Sequence, residues 1–222
     1  MKIAIVGAGN VGGALGSRWA KNGHKIIFGV RDPGSRPVRE LLNKIGGKSR
    51  AAQINEAIEE APVIAVTLPW VATEETLRCT SVSWDQKIII DATNPVLLGS
   101  QDLQKGLLVG HTTSAAEQIA SWTPGSKVVK AFNTTGAANM RNPVYGNEKI
   151  SMFICGNHPD AKEAVKGLVS ELDFDVVDVG RLEMARYLEP AGMLWIAMAM
   201  FAGFGTEFGF RVIRRVTTIA EK

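Results

Sequence analysis

Three closely spaced glycines are the residues best placed to do chemistry. Near its start the chain reads Gly7-Ala-Gly9-Asn10-Val11-Gly12, directly after an apolar run from Ile3 to Val6. A short β-branched run of this kind marks a buried parallel strand. After Gly12, Leu15, Trp19 and Ala20 fall on one side of a helix, and Asn22-Gly23 supplies the stop. A second short strand, Ile26 to Phe28, ends at Gly29. Strand, glycine turn, helix and strand within about thirty residues is the setting that makes GxGxxG a dinucleotide-binding fingerprint. Gly7 permits the tight turn, Gly9 lets the backbone approach a pyrophosphate, and Gly12 lets the helix pack close to the strand. The helix N-terminus adds free N–H groups and partial positive charge. The competing explanation is a glycine-rich turn that holds no ligand.

The next polar groups lie in Val30-Arg31-Asp32-Pro-Gly-Ser35-Arg36, where the adenosine ribose sits in dinucleotide folds. An acid there selects NAD, whereas a cation facing a 2′-phosphate selects NADP. Arg31, with Ser35 and Arg36 close by, favours NADP, because guanidinium pairs with phosphate and stacks on adenine. Asp32 is the counterweight, as a ribose acid or as a cap of the following turn.

Stepping along the chain, helices are predicted over 38–45 and 53–61, a strand over 63–69, a helix over 71–77 and a strand over 87–91. A further helix begins in His111 to Ala120, with Ser114 and Glu117 spaced as a capping box, and a fifth strand runs from Lys127 to Asn133. In open parallel sheets ligands bind outside the carboxyl ends of the strands. That edge receives Thr67, Leu68, Pro69 and Trp70, then Asp91, Thr93, Asn94 and Pro95, then Asn133, Thr134 and Thr135. Small polar groups there suit a nicotinamide ribose or carboxamide, while an Asx-type turn or ordinary packing of Trp70 explains any single one. The convergence says more than any member. Lys130 is open between a site cation and a sheet-edge residue. Of the three histidines, His24 is expected at the surface and His158 in a turn. His111 is the histidine that could stand near the site, with entry into a helix the favoured role.

The expected architecture is an α/β fold, a Rossmann-type doubly wound and mainly parallel sheet. Residues 1–141 form the dinucleotide-binding domain, and 142–222 a small C-terminal α/β region. That region is expected to hold strands over 150–155 and 174–179 and a helix over 159–172, then helical character from Arg181 to Ala202. The stretch from Gly192 to Gly205 is apolar all round, so it is buried or paired, and a homodimer is expected through it. The tail Arg211 to Arg215 is expected to be a solvated helix end.

With these motifs in place, the chain resembles the coenzyme F420-dependent NADP oxidoreductases and the oxidoreductase domain of the STEAP metalloreductases. The resemblance runs nearly end to end, through GAGNVG with GVRD, Thr67 to Trp70, Thr113 to Glu117, Val128 to Thr134 and Arg181 to Pro190. VVKAFN is its most specific piece. It implies that Gly9, Asn10 and Val11 hold the pyrophosphate and Arg31 the 2′-phosphate. Pro69, Trp70, Asn94, Ala131, Phe132 and Asn133 would face the nicotinamide and its redox partner, with Asn94 and Asn133 in the catalytic places. Val30 stands where the family commonly has Ser, which removes one hydroxyl directed at the phosphate.

The whole-chain numbers fit. In 222 residues, 45% hydrophobic and 21% charged, the composition is that of an ordinary globular protein. A net charge of +3, without a basic cluster interleaved with aromatics, argues against nucleic acid and anionic membranes. Cys79 and Cys155 lie far apart, which gives no zinc or disulfide signal and fits a cytoplasmic location. No targeting segment or membrane span is expected. Hydride exchange between a nicotinamide and a flavin or the deazaflavin F420 needs aligned rings and no obligatory acid or base. The alternatives are a reductase of a small imine or keto substrate, of the pyrroline-carboxylate type, and a non-catalytic NADP(H) sensor.

Overall fold

The computed structural model describes residues 1–47, 49–97 and 103–215. In chain order the elements are β1 (Lys2–Val6), α1 (Asn10–Lys21), β2 (Lys25–Gly29), α2 (Arg36–Ile45), β3 (Ser49–Ala52), α3 (Ile54–Glu60), β4 (Val63–Val66), α4 (Trp70–Arg78) and β5 (Ile88–Asp91). There follow α5 (Ala115–Trp122), β6 (Lys127–Lys130), α6 (Ala137–Arg141), β7 (Val144–Tyr145), β8 (Glu148–Lys149), β9 (Ser151–Gly156), α7 (Pro159–Ser170), β10 (Asp175–Asp178) and α8 (Ala185–Met200). A single 3₁₀ turn, Leu182–Met184, leads into α8.

One eight-stranded sheet carries the fold, in the order β10-β9-β6-β5-β4-β1-β2-β3. Strands β1 to β6 are parallel, as the Rossmann-type reading expects. Strand β9 adds antiparallel to β6, and β10 pairs parallel with β9, so residues beyond 142 extend the same sheet. Side chains alternate across it. Ile3 and Ile5 enter the core on one face with Trp19 and Phe28, while Ala4 and Val6 enter the other with Ile58 and Leu77. Helices cover both faces, which is why the strands read as unbroken apolar runs. From β1 the chain proceeds to β2 and β3 on one side, then returns to β4 on the other. A crevice therefore opens between the carboxyl ends of β1 and β4.

Several expectations are corrected. Strand β3 has no apolar run to announce it, being an edge strand paired only to β2. The tail Arg211 to Arg215 is not helical. Next to it, the Phe210 carbonyl accepts from Ser151 N–H, and Val212 N–H donates to Ser151 Oγ. His24 is buried, with Nδ1 3.3 Å from the Met1 amine and Nε2 2.7 Å from Glu171. His111 lies exposed in a turn, and the helix starts only at Ala115. Helix α8 ends at Met200, short of Ala202. The chain then doubles back so that Phe208 stacks on Trp195 at 5.2 Å and its carbonyl takes the Trp195 indole N–H at 3.1 Å. The apolar stretch is thus only half covered. Trp195 is buried, whereas Leu194 and Phe204 are exposed.

Candidate functional site: a nucleotide cleft at the strand ends

A cleft of about 1070 Å³ lies along the carboxyl ends of β1, β2, β4 and β5. Its walls include Gly7, Gly9, Asn10 and Val11 of the glycine loop, Val30, Arg31 and Ser35 after β2, Leu68, Pro69 and Trp70 after β4, and Thr93 and Asn94 after β5. These twelve residues, all singled out from the sequence, meet in one cavity.

The glycine loop is built for backbone contact. Gly7 adopts φ +110°, and a Cβ there would lie 3.0 Å from Thr67 Oγ1. Gly12 is not in the cleft wall. It sits beneath, where a Cβ would strike the Gly7 carbonyl and the Thr67 hydroxyl, which is the helix-packing role expected of it. Thr67 fastens the loop from β4, its hydroxyl facing the carbonyls of Val6 at 3.1 Å and Gly7 at 3.2 Å. At Gly9 a Cβ would meet nothing within 4 Å, so the space above it belongs to the cleft. Gly9 is also the N-cap of α1, which has no side-chain cap and no acid in its first turn. The free N–H groups of that turn are left to an anion.

At the adenosine end, the Asp32 carboxylate is committed to its own turn, accepting from Gly34 N–H at 2.9 Å. Ser35 is the N-cap of α2. Arg36 pairs with Glu40 on the exposed face of α2. Among the described residues Arg31 makes no side-chain hydrogen bond or ion pair, so its guanidinium is at the cleft's disposal. The same end is lined by Gln53, Ile54 and Asn55, and by Ala72, Glu75, Thr76 and Cys79. These were missed in the sequence, although the last four share one helical face of α4 at the spacing i, i+3, i+4, i+7.

At the other end Thr93 and Asn94 face Leu68, Pro69 and Val96, with Ile196 of α8 closing the wall. Trp70 stacks on Trp122 of α5 at 5.4 Å, so its ring is held by packing while it borders the cleft. Among the described residues the titratable side chains of the cleft wall are Arg31, Asp32, Glu75 and Cys79, and none of them comes from the segment after β5 or from α8.

Three expected residues lie behind the wall. Ala131 is fully buried. Phe132 has φ +66°, and its ring is wedged edge-on between Trp19 at 5.8 Å and Phe174 at 6.1 Å, so it is a core residue and not a nicotinamide platform. Asn133 is buried too. Its Nδ2 donates to the Leu188 carbonyl at 2.9 Å and to Asn94 Oδ1 at 3.1 Å, and its Oδ1 has no protein partner.

Asp91 is withdrawn from the cleft as well. It lies opposite Lys130 in the β5–β6 register. Lys130 is neither a cleft cation nor an edge residue: its Nζ donates to Asp91 Oδ2 at 2.8 Å and to the Thr93 carbonyl at 2.7 Å, and lies 3.0 Å from Glu189 Oε1 of α8. Glu189 also accepts from Ala115 N–H at 3.0 Å and Ala116 N–H at 3.2 Å, the first turn of α5. Burial works against the ammonium, but Asp91 and Glu189 hold it above the usual lysine range. Burial pushes the Glu189 carboxyl up, opposed by Lys130. Nearby on β9, burial pushes the Cys155 thiol up to about 12, so it stays neutral. Arg186 of α8 clamps Glu117 of α5 through both carboxylate oxygens, at 2.9 and 2.5 Å, and Glu117 completes the predicted capping box with Ser114.

Residues 2–95 match the family model described as NADP oxidoreductase, coenzyme F420-dependent. An F420-dependent NADP reductase of Methanothermobacter marburgensis is 33% identical over 201 residues, covering 85% of this chain and 88% of that protein. The metalloreductase STEAP3 of Rattus norvegicus is 30% identical over 192 residues, which is 85% of this chain but 36% of the longer relative. A crystal structure from Arthrobacter sp. FB24, assigned as an F420-dependent NADP-reductase, matches with a TM-score of 0.80 at 28% identity, over 96% of this chain and 100% of that one. Fold, glycine loop and near full-length likeness converge: the chain belongs to the coenzyme F420-dependent NADP oxidoreductase family and is an NADP-dependent oxidoreductase.

Proposed function

We propose that the chain holds NADP(H) in this cleft and catalyses hydride exchange between it and a planar deazaflavin of the F420 kind, or a flavin. NADP(H), when bound, supplies or takes up the hydride. The free N–H groups of α1 and the open space over Gly9 receive the pyrophosphate, and Arg31 receives the 2′-phosphate. Thr93 and Asn94 orient the nicotinamide end, while Leu68, Pro69 and Ile196 exclude water from it.

The observation that carries the reading is the asymmetry of the cleft. Its anion-binding groups come from the β1 and β2 ends, and among the described residues the wall after β5 has polar orienting groups and no acid or base. A reductase of imine or keto substrates needs a proton donor for the reduced heteroatom. Ring-to-ring hydride exchange works by alignment alone. We place the enzyme in the cytoplasm, a reading supported by its two free cysteines. The test is a panel of acceptors, comprising F420, free flavins, a ferric chelate and cyclic imines, each supplied with NADPH. Oxidation of NADPH with F420 or a flavin is expected. Turnover with imines alone, or binding of NADPH with no acceptor reduced, would overturn the reading in favour of an imine reductase or a sensor.

A further inference from the structure

The buried cluster of Lys130, Asp91 and Glu189 lies directly behind the redox end of the cleft, and nothing in the hydride exchange uses it. We propose that this cluster is an electrostatic element that favours the oxidised, cationic nicotinamide over the neutral reduced one. The inference rests on the cleft being the NADP(H) site.

The charge count follows from the hydrogen bonds. Lys130 Nζ has three oxygen neighbours, Asp91 Oδ2, Glu189 Oε1 and the Thr93 carbonyl, which accounts for all its protons. The other Asp91 oxygen accepts from Thr93 N–H at 2.9 Å and the Thr93 hydroxyl at 2.7 Å. Both Glu189 oxygens face donors, from Lys130, Ala115 and Ala116. Each carboxylate thus faces three donors, which favours its ionised form, and with Lys130 protonated the cluster sums to one negative charge. The groups packed around it do not cancel that charge. Cys155 is a neutral thiol, and Arg186 is spent on Glu117. The N-terminus of α5 contributes only a partial positive charge.

The site is dry, since the side chains of Lys130, Asp91 and Glu189 are 0%, 0% and 1% exposed, so solvent screens the charge little. It is also close. The ammonium bonds the carbonyl of Thr93, and Ala92, Thr93 and Asn94 are themselves the cleft wall. A nicotinamide against that wall gains a positive charge when it gives up hydride, and a fixed anion behind the wall stabilises that form.

The experiment measures dissociation constants of NADP⁺ and NADPH by calorimetry for the parent chain, Glu189→Gln and Asp91→Asn. The two variants remove one negative charge from different elements, α8 and β5, with amides of nearly the same shape. In either variant that retains the parent's circular dichroism, NADP⁺ should weaken about tenfold relative to NADPH, the factor expected for a unit charge about 10 Å away at an effective dielectric near 20. An unchanged ratio in a folded variant overturns the proposal. Should neither variant fold, the parent decides. It should bind NADP⁺ at least as tightly as NADPH, and tenfold tighter NADPH contradicts the proposal. A parent that binds neither dinucleotide would instead remove the cofactor reading on which the inference stands.

Discussion

Asn94 and Asn133 hold each other at the redox end of the cleft. Asn133 Nδ2 donates to Asn94 Oδ1 at 3.1 Å, and Asn94 Nδ2 donates to the Asn133 carbonyl at 2.7 Å. Gly192 of α8 presses on this pair so closely that a Cβ would stand 2.6 Å from both the Asn133 carbonyl and Asn94 Oδ1. Asn94 is the member that reaches the cleft, and Asn133 is the post it leans on. Asn133→Ala should therefore lower stability by about 1–3 kcal/mol through the buried groups it leaves unpaired. It should also lower kcat more than it weakens NADPH binding, by freeing Asn94. Thermal melts and steady-state kinetics check this; unchanged stability would mean that the bond to the Leu188 carbonyl contributes nothing.

Gly9→Val should leave the fold intact and abolish dinucleotide binding. The backbone at Gly9 has φ −77°, open to any residue, and a Cβ meets no protein atom within 4 Å. The valine side chain would occupy the pyrophosphate's space instead. Retained NADPH affinity in calorimetry would place the dinucleotide elsewhere.

Arg31→Ala should weaken NADPH by about 1.5–3 kcal/mol, the range of a charge-assisted hydrogen bond, while NADH changes little. Equal losses would show that Arg31 serves adenine by stacking. Val30→Ser should tighten NADPH modestly by adding a hydroxyl beside the 2′-phosphate, and binding titrations of both dinucleotides read both variants.

A homodimer through α8 remains our proposal, and the structure changes the residue that tests it. Trp195 is core, with its ring stacked on Phe208 and its indole N–H bonded to the Phe208 carbonyl, so a charge there would unfold the region. Leu194 and Phe204 are 55% and 58% exposed and present the uncovered apolar side. Leu194→Glu should give a folded monomer in light scattering where the parent is a dimer. A monomeric parent would defeat the idea.

The Arg186–Glu117 clamp gives a pH dependence of known sign. The Arg186 guanidinium, aided by the Ser114 hydroxyl, holds the Glu117 carboxyl below the usual glutamate range. Its stabilising effect is complete above the unfolded-state value, about 4.3, and is lost as pH falls through the lower folded value. The stability difference between the parent and Glu117→Gln, measured by denaturant unfolding, should therefore shrink on acidification from pH 6 to pH 3. A constant difference would mean that the carboxylate's charge is irrelevant.

What the sequence disclosed follows from the range of the forces involved. The glycine loop, the apolar strands and the Ser114–Glu117 cap are local patterns, and each is where its residues foretold. Strand β3 escaped because Ser49-Arg50-Ala51-Ala52 has no hydrophobic period; its strand state comes from pairing with β2. Lys130 was ambiguous because its partners lie 39 residues before it, at Asp91, and on α8, at Glu189. One sign was available, as IIID and KVVK are neighbouring parallel strands that each end in a charge of opposite sign. Phe132 was assigned to the nicotinamide by the resemblance alone, which carries no information on its long-range partners Trp19 and Phe174.

Direct hydride exchange between the two rings is tested most directly by an isotope. NADPH deuterated at nicotinamide C4, one face at a time, is mixed with the enzyme and a deazaflavin in ordinary water. A deazaflavin is the right acceptor because hydrogen at its C5 does not exchange with solvent. One of the two labelled faces should deliver its deuterium to C5 of the reduced deazaflavin. Reduced deazaflavin carrying no deuterium from either face would contradict direct transfer between the rings.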